Sequence, residues 1–384
     1  MQANLLQLTA PMKTHTPEIL NLFNLQNLRK TAIQQPNRAE HHQSNQNGLA
    51  TNTSEELAET YVLASYLASA GEFLEEQYWL KCNTIDHKAQ NETYGDFLKP
   101  LFRNELFCIS PLRDNFTQAG SNHLKKIIKS SRRLSYQAMT CAKKLAQVEQ
   151  KEFLTRCLSQ MSELFLNEEK QQSSHCQSEG HVGPRLYRAF DSLDDVFNLN
   201  YQLDRDMSFD HETQERLYQG SGVGVQSGYS TILLALHYLT LRPGDRIIDL
   251  GSGYGRVGLV FSLMRPDCHF IGYEYVPHRV EVCNNATKKL ELSQSLSFHM
   301  QDLSSLDFVI PTAETYYLYD PFSKSTYEYV LKQIVDISKS KSLTIVTKGN
   351  ARDWLSQIAD DNHWPKPQII DYGNLCLFKT ASHH

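Results

Sequence analysis

Apolar positions recur at helical spacing over the first half of the chain and in short strand-like runs over the second. Behind Ser54, residues Leu57, Tyr61, Leu63, Ala64, Leu67 and Ala70 predict a capped helix ending near Gly71, and Phe153, Leu154, Cys157, Leu158, Met161, Leu164 and Phe165 predict another. From residue 246 the pattern changes. Apolar, β-branched or aromatic runs at 246–250, 269–274, 295–300, 315–319 and 342–348 read as strands, alternating with helical stretches that include those beginning at Val257, Pro277 and Asp353. Residues 368–372 and 375–380 read as a closing hairpin around Gly373 and Asn374. Such alternation implies an α/β, doubly wound, mostly parallel sheet, preceded by a mostly helical accessory domain.

Polar stretches set the boundaries. Residues 1–52 are rich in Gln, Asn, Thr and His and bury too little apolar surface to order by themselves, although Ile19, Leu20, Leu22, Phe23, Leu25 and Leu28 fit an amphipathic helix that docks on the body. The polar run that opens at Asn167 reads as a linker. The expected division is a tail at 1–52, a helical accessory domain at 53–166, a linker and connecting segment at 167–210, and the α/β domain at 211–384.

Candidate chemistry gathers where the first strand ends. Ile247, Ile248 and Leu250 suit a strand covered on both faces, and Gly251, Gly253 and Gly255 let the backbone turn tightly and approach a ligand. A dinucleotide loop has the spacing G-x-G-x-x-G, with helix amides facing a phosphate. Here the spacing is G-x-G-x-G, and Asp249 stands two residues before the first glycine, which suits a ligand with a cationic amino group instead of phosphates. The second strand ends in Glu274, placed to accept hydrogen bonds from two ribose hydroxyls.

The run Asp-Leu-Gly-Ser-Gly-Tyr-Gly at 249–255 resembles the first motif of the class I S-adenosylmethionine-dependent methyltransferases. The resemblance covers roughly 211–384 and implies the seven-stranded sheet of that family, with an antiparallel last strand, S-adenosyl-L-methionine as cofactor, and methyl transfer as the activity. It implies that Asp249, Gly251, Ser252, Gly253 and Gly255 hold the cofactor, with Glu274 at the ribose, Tyr275 against the adenine, and Asp302 and Leu303 near the adenine amino group. In the family the end of the fourth strand, here Tyr319-Asp320-Pro321-Phe322, faces the methyl group. Asp320 is then expected to orient an acceptor nitrogen, with the Pro321 carbonyl as a second acceptor and Tyr316, Tyr317, Tyr319 and Phe322 as aromatic walls. The family's usual form has two prolines where this chain has one, which leaves the acceptor atom open. A glycine-rich segment at 218–231 loosely resembles one that closes over the cofactor in protein-directed members. On that reading Gln226, Tyr229 or Ser230 touches the cofactor's methionine end or the substrate, and a flexible hinge is the alternative.

Composition narrows the partners. The net charge of −5 argues against a broadly cationic nucleic-acid binder. Lys125, Lys126, Lys129, Arg132 and Arg133 still form a basic helix face, read as the solvated side of a bundle, with an RNA or acidic-partner surface as the alternative. Eight scattered cysteines without a Cys-x-x-Cys pair are expected to be reduced cytoplasmic thiols, and no metal site is expected. No run reaches the roughly 18 apolar residues of a spanning helix, so no membrane association is expected. The expected acceptor is a protein side-chain nitrogen of the lysine kind. RNA or small-molecule methylation, a catalytically silent cofactor-binding scaffold and a nicotinamide-dependent dehydrogenase are the alternatives.

Overall fold

The computed structural model describes residues 53–84, 92–174, 183–184, 186–205, 226–319, 323–348 and 351–380. The expected tail, most of the glycine-rich segment, and Asp320, Pro321 and Phe322 lie outside the described residues. The chain divides into two compact units, Met1–Lys144 with Lys170–Phe190, and Leu145–Glu169 with Asp191–His384.

In the N-terminal unit the helices are α1 (Ser54–Thr84), α2 (Tyr94–Arg103), α3 (Arg113–Ala119) and α4 (Leu124–Ala142). A reciprocal cap starts α1: the Glu56 amide donates to Thr53 Oγ1 at 3.2 Å and the Thr53 amide donates to Glu56 Oε2 at 3.1 Å, one residue earlier than expected. The helix does not end at Gly71. It runs on to Thr84, because Gly71 marks a close approach instead of a stop, and a Cβ there would lie 2.8 Å from Ile128 Cγ1 of α4. Ser65 and Ser135 meet across the same contact at 2.8 Å. On the basic face of α4, Arg132 pairs with Glu72 at 2.6 Å and Lys125 with Glu75 at 3.6 Å, so α1 neutralises part of the face.

The C-terminal unit begins with the first part of α5 (Gln147–Ser174) and resumes with two one-turn helices, α6 (Asp194–Phe197) and α7 (Gln202–Arg205). Then follow α8 (Tyr229–Tyr238), β1 (Arg246–Leu250), α9 (Arg256–Met264), β2 (His269–Glu274), α10 (Pro277–Lys289), β3 (Leu296–Met300), β4 (Thr315–Tyr319), α11 (Lys324–Ser338), β5 (Thr344–Lys348), α12 (Ala351–Asp361), β6 (Gln368–Ile370) and β7 (Leu375–Lys379). The seven strands form one sheet in the order β3-β2-β1-β4-β5-β7-β6, with β7 antiparallel to both its neighbours. The last turn forms earlier than expected, as a 3-10 turn at Asp371–Gly373 with Asp371 at φ 51°.

One face of the sheet carries Ile248, Leu250, Tyr316, Leu318, Ile345 and Phe378 into a core with Tyr327, Val330 and Ile334 of α11 and Leu355 of α12. Each such side chain contributes about 1.5–3 kcal/mol when fully buried. On the other face α9 lies so close to β2 that a Cβ at Gly258 would be 2.7 Å from the Phe270 ring. The strand order reverses between β1 and β4, and a doubly wound sheet binds its ligand at the carboxyl ends of the strands at that point.

Candidate functional site

Alternation along β1 sends Ile248 and Leu250 into the core and Asp249 to the opposite face. Its register partners there are Gly272 of β2 and Tyr317 of β4. Gly272 has no room for a side chain, since a Cβ would lie 2.4 Å from Phe298 Cδ1 and 2.9 Å from Ser252 Cβ. Asp249 is 2% exposed and its Oδ2 has no hydrogen-bond partner. Burial, and after it the neighbouring Glu274, pushes its carboxyl well above the usual range.

The chain leaves β1 through Gly251, Gly253 and Gly255, all at positive φ. The amides of Gly251 and Ser252 both donate to the Tyr273 carbonyl, at 2.9 and 2.8 Å, which pins the loop to the end of β2. A Cβ on Gly255 would meet Phe298 Cζ at 2.6 Å and Cys283 Sγ at 2.9 Å, and one on Gly253 would meet Gln226 Nε2 at 2.7 Å. Glu274 closes the loop from below. Its Oε2 accepts the Gly253 amide at 2.8 Å and its Oε1 the Val276 amide at 3.0 Å, leaving lone-pair capacity on each oxygen for further donors. Burial raises the Glu274 carboxyl, with Arg279 and the two amides opposing the shift.

Two buried acid–arginine pairs that sequence reasoning missed hold this loop from behind. Arg256, the residue after Gly255, is 1% exposed, and its guanidinium donates through Nε (2.9 Å) and Nη2 to Asp194, and through Nη1 to Asp191 (3.2 Å) and the Ser227 carbonyl (3.1 Å). Tyr201 and Tyr229 add their hydroxyls to Asp194 at 2.6 and 2.7 Å. Burial alone would lower the Arg256 pKa, but Asp194 overrides it and holds the group above its ordinary value. In the second pair Asp204 accepts from Arg279 at 3.2 and 3.1 Å and meets His278 Nε2 at 2.8 Å, while Arg279 also lies 3.6 Å from Glu274. The available signal was an arginine heading an apolar helix, which must find a carboxylate, and the acids 191, 194, 195 and 204 in a segment read as connecting chain.

The other expected site residues divide. Gln226 and Ser252 lie with Asp249 around the loop, and Gln226 Nε2 and Ser252 Oγ are buried without a hydrogen-bond partner. Tyr229 is wholly buried beneath Arg256, 4.8 Å from its ring centroid to the guanidinium carbon, so its ring and hydroxyl serve the Asp194 network. Ser230 follows it as the second residue of α8. Tyr275 is 40% exposed just beyond β2. Asp302 Oδ1 accepts from the Ser304 amide at 2.9 Å and its hydroxyl at 2.6 Å, and Leu303 packs into the core with Tyr273 and Ile310. The aromatic wall needs correction at Tyr316. Its alternate position on β4 turns it into the core, where its hydroxyl donates to the Pro311 carbonyl at 2.8 Å. Tyr317 remains on the site face and donates to Ser227 Oγ at 2.9 Å, which ties the segment before α8 to β4. Tyr319 is half-buried at the end of β4.

A ligand with a cationic amino group, a carboxylate and a ribose fits these residues. Asp249 would meet the amino group, Ser252 and Gln226 would donate to the carboxylate, and Glu274 would accept from the ribose hydroxyls. The orphaned polar atoms of Asp249, Ser252 and Gln226 are the observation behind the fit.

Strand order and loop together define a Rossmann-like fold built to hold a nucleoside cofactor at the β1 switch point. Residues 241–365 match the family described as "Methyltransferase domain". Residues 241–365 thus form a methyltransferase domain on the seven-stranded sheet, and the enzyme uses S-adenosylmethionine as its methyl donor. Solved structures similar to it include precorrin-6y C5,15-methyltransferase from Geobacter metallireducens GS-15 (16% identity, 42% of this chain, 91% of that one, TM-score 0.32). TrmN from Thermus thermophilus (16%, 39% and 47%, TM-score 0.33) and a SAM dependent methyltransferase from Aquifex aeolicus (11%, 39% and 88%, TM-score 0.30) are also similar. This chain spans about half the length of the Thermus protein. No curated protein matches the chain. Among the described residues no helix is long and apolar enough to cross a membrane.

Proposed function

We propose that the enzyme methylates a nitrogen of a protein side chain. The observation that carries this reading is the end of β4, where Tyr317 and Tyr319 on the site side lead in sequence directly to Asp320, Pro321 and Phe322. An aromatic approach disfavours a charged amine by desolvation, and the carboxylate that follows it in sequence supplies an acceptor for the nitrogen's remaining hydrogen. The bound cofactor supplies an electrophilic methyl group on a sulfonium. The protein aligns the nucleophile and excludes water; a neutral nitrogen attacks with its lone pair, so no proton is removed in the transfer step itself and the methylated nitrogen gives up its proton to water afterwards, while in-line positioning accounts for much of the rate. Asp249, Gln226, Ser252 and Glu274 hold the cofactor, and Asp320, Pro321, Tyr319 and Phe322 hold the acceptor.

The cationic face of α4 is partly neutralised by Glu72 and Glu75, which weakens the case for RNA. Transfer of labelled methyl groups into a cell extract, divided into protease-treated and nuclease-treated halves, tests the substrate class. Label lost to protease is the expected result. Label that survives protease and is lost to nuclease overturns the reading in favour of RNA.

A further inference from the structure

Asp249 and Glu274 are two buried acids near the ends of neighbouring strands, 2% and 6% exposed, and their surroundings differ. Glu274 accepts the Gly253 and Val276 amides at 2.8 and 3.0 Å and lies 3.6 Å from the Arg279 guanidinium, so a negative charge on it is supported at both oxygens. Asp249 lacks such support, and its Oδ2 has no hydrogen-bond partner. The titratable groups that face it among the described residues are Glu274 on β2, Cys283 on α10 and Tyr317 on β4, and none of them is a cation. Their protons are also directed elsewhere. The Tyr317 hydroxyl donates to Ser227 Oγ at 2.9 Å and the Cys283 thiol to the Gly253 carbonyl at 3.4 Å. Of the arginines behind the loop, Arg256 of α9 is engaged by Asp194 and Arg279 of α10 by Asp204. The β2 residue in register with Asp249 is Gly272, which has no side chain to offer. Of two acids in such contrast the unsupported one keeps its proton, because a buried carboxylate with neither cation nor donor beside it is desolvated without compensation.

We propose that cofactor uptake is coupled to the release of one proton: Asp249 is the neutral acid until the cofactor binds, and the ammonium of the cofactor's amino-acid end displaces its proton to water. The inference rests on the cofactor assignment and is independent of the acceptor. One carboxylic acid and one ammonium meet, and one carboxylate paired with one ammonium remains, with one proton in solvent. The count is the same if the shared proton lies nearer the carboxyl oxygen than the amine. Burial, and after it Glu274, hold the Asp249 carboxyl well above the usual range, the direction that the geometry requires. Linkage then sets the sign: below the cofactor-free value of this carboxyl, binding weakens about tenfold for each pH unit of acidification, and above that value it levels off. The proton that stabilises the cofactor-free protein at low pH therefore opposes the cofactor there.

S-adenosylhomocysteine and its desamino analogue, which keeps the adenosine and the carboxylate and lacks the amino group, test the inference on the full chain. Calorimetry in buffers of low and high ionisation enthalpy, over about pH 5.5–8, counts the protons exchanged on binding. S-adenosylhomocysteine is expected to release about one proton at the acid end, falling toward zero as pH rises, with its Kd tightening about tenfold per pH unit where release is complete. The analogue, measured directly or by competition, is expected to release none and to gain no affinity with pH; it keeps the ribose, so a proton lost at Glu274 appears with both ligands. Infrared difference spectra are expected to show a protonated-carboxyl stretch disappearing as S-adenosylhomocysteine binds and persisting with the analogue. Binding of S-adenosylhomocysteine without proton release, or equal release by the two ligands, overturns the inference while the cofactor assignment stands. Failure of S-adenosylhomocysteine to bind overturns both.

Discussion

Replacing Asp194 by alanine removes one carboxylate and strands four donors. Arg256 Nε and Nη2, the Tyr201 hydroxyl and the Tyr229 hydroxyl all donate to it, and the guanidinium they surround is 1% exposed. Asp191 at 3.2 Å and the Ser227 carbonyl at 3.1 Å remain as partial compensation. Breaking a buried ion pair from one side costs about 3–5 kcal/mol. Each stranded hydroxyl adds about 1 kcal/mol, offset where water enters the space left by the carboxylate. The expected loss is about 4 kcal/mol, or a fall in Tm of roughly 8–16 °C for a unit of this size. Urea denaturation followed by tryptophan fluorescence in a Trp79→Phe background measures it, because the chain's other two tryptophans, Trp354 and Trp364, both belong to the C-terminal core. Arg256→Met alone leaves Asp194 buried with only the tyrosines, and the double variant D194A/R256M is expected to lose less than the sum of the singles by about 3 kcal/mol. A loss under about 1 kcal/mol for D194A, or strict additivity in the double variant, refutes the buried network as a source of stability.

Three further outcomes are expected. Because the folded carboxyl of Asp249 lies above its unfolded value, the folded state binds more protons between the two values, so stability of the cofactor-free protein falls as pH rises through that window; Asp249→Asn flattens the fall and abolishes S-adenosylmethionine binding, and a pH series of urea midpoints for parent and variant checks both. Gly255→Ala places a Cβ 2.6 Å from Phe298 at φ 76°, costing about 2–4 kcal/mol from left-handed strain and overpacking; thermal melts check the size, and restoration by a compensating Phe298→Leu would assign the packing share. Glu274→Ala leaves the Gly253 and Val276 amides unpaired, and calorimetry is expected to show S-adenosylhomocysteine affinity reduced by at least about tenfold, whereas an unchanged Kd would remove Glu274 from the cofactor site.

The strands were legible because each stands as a short apolar or aromatic run between polar breaks. β2 and β4 coincide with the ranges read from sequence, and β3 and β5 begin one and two residues later. Gly71 misled for a definite reason. A glycine in a helical pattern signals either a stop or a close helix contact, and only the position of Ile128 on α4 distinguishes them. Tyr316 misled for a similar one, since four consecutive aromatic or apolar residues, 316–319, conceal the alternation that sends Tyr316 to the core and Tyr317 to the site. Asp249, Gly253 and Glu274 were findable because the glycine loop is local in sequence. Asp194 and Asp204 were not, because each meets its arginine across more than sixty residues of chain.

The placement of those two acids explains why a connecting segment carries so much buried charge. Arg256 immediately follows the last glycine of the cofactor loop, and Arg279 stands in the first turn of the helix that follows Glu274, so the two arginines sit behind the two elements that present ligand-binding groups. Glycine gives the loop its close approach and leaves it with excess conformational freedom. Residues 191–205 limit that freedom from outside, Asp194 at the head of α9 and Asp204 at the head of α10. The same Arg256 binds the Ser227 carbonyl, beside the Gln226 amide that rests on Gly253. A single buried guanidinium therefore fixes the spacing between the floor of the loop and the segment above it. Methyl transfer depends on alignment, a misplacement of about 1 Å costing about a hundredfold in rate, and the directional hydrogen bonds of the Arg256 guanidinium to Asp194, Asp191 and the Ser227 carbonyl tie the loop to the segment above it in one geometry, which is a physical reason for a buried charge here despite its desolvation cost.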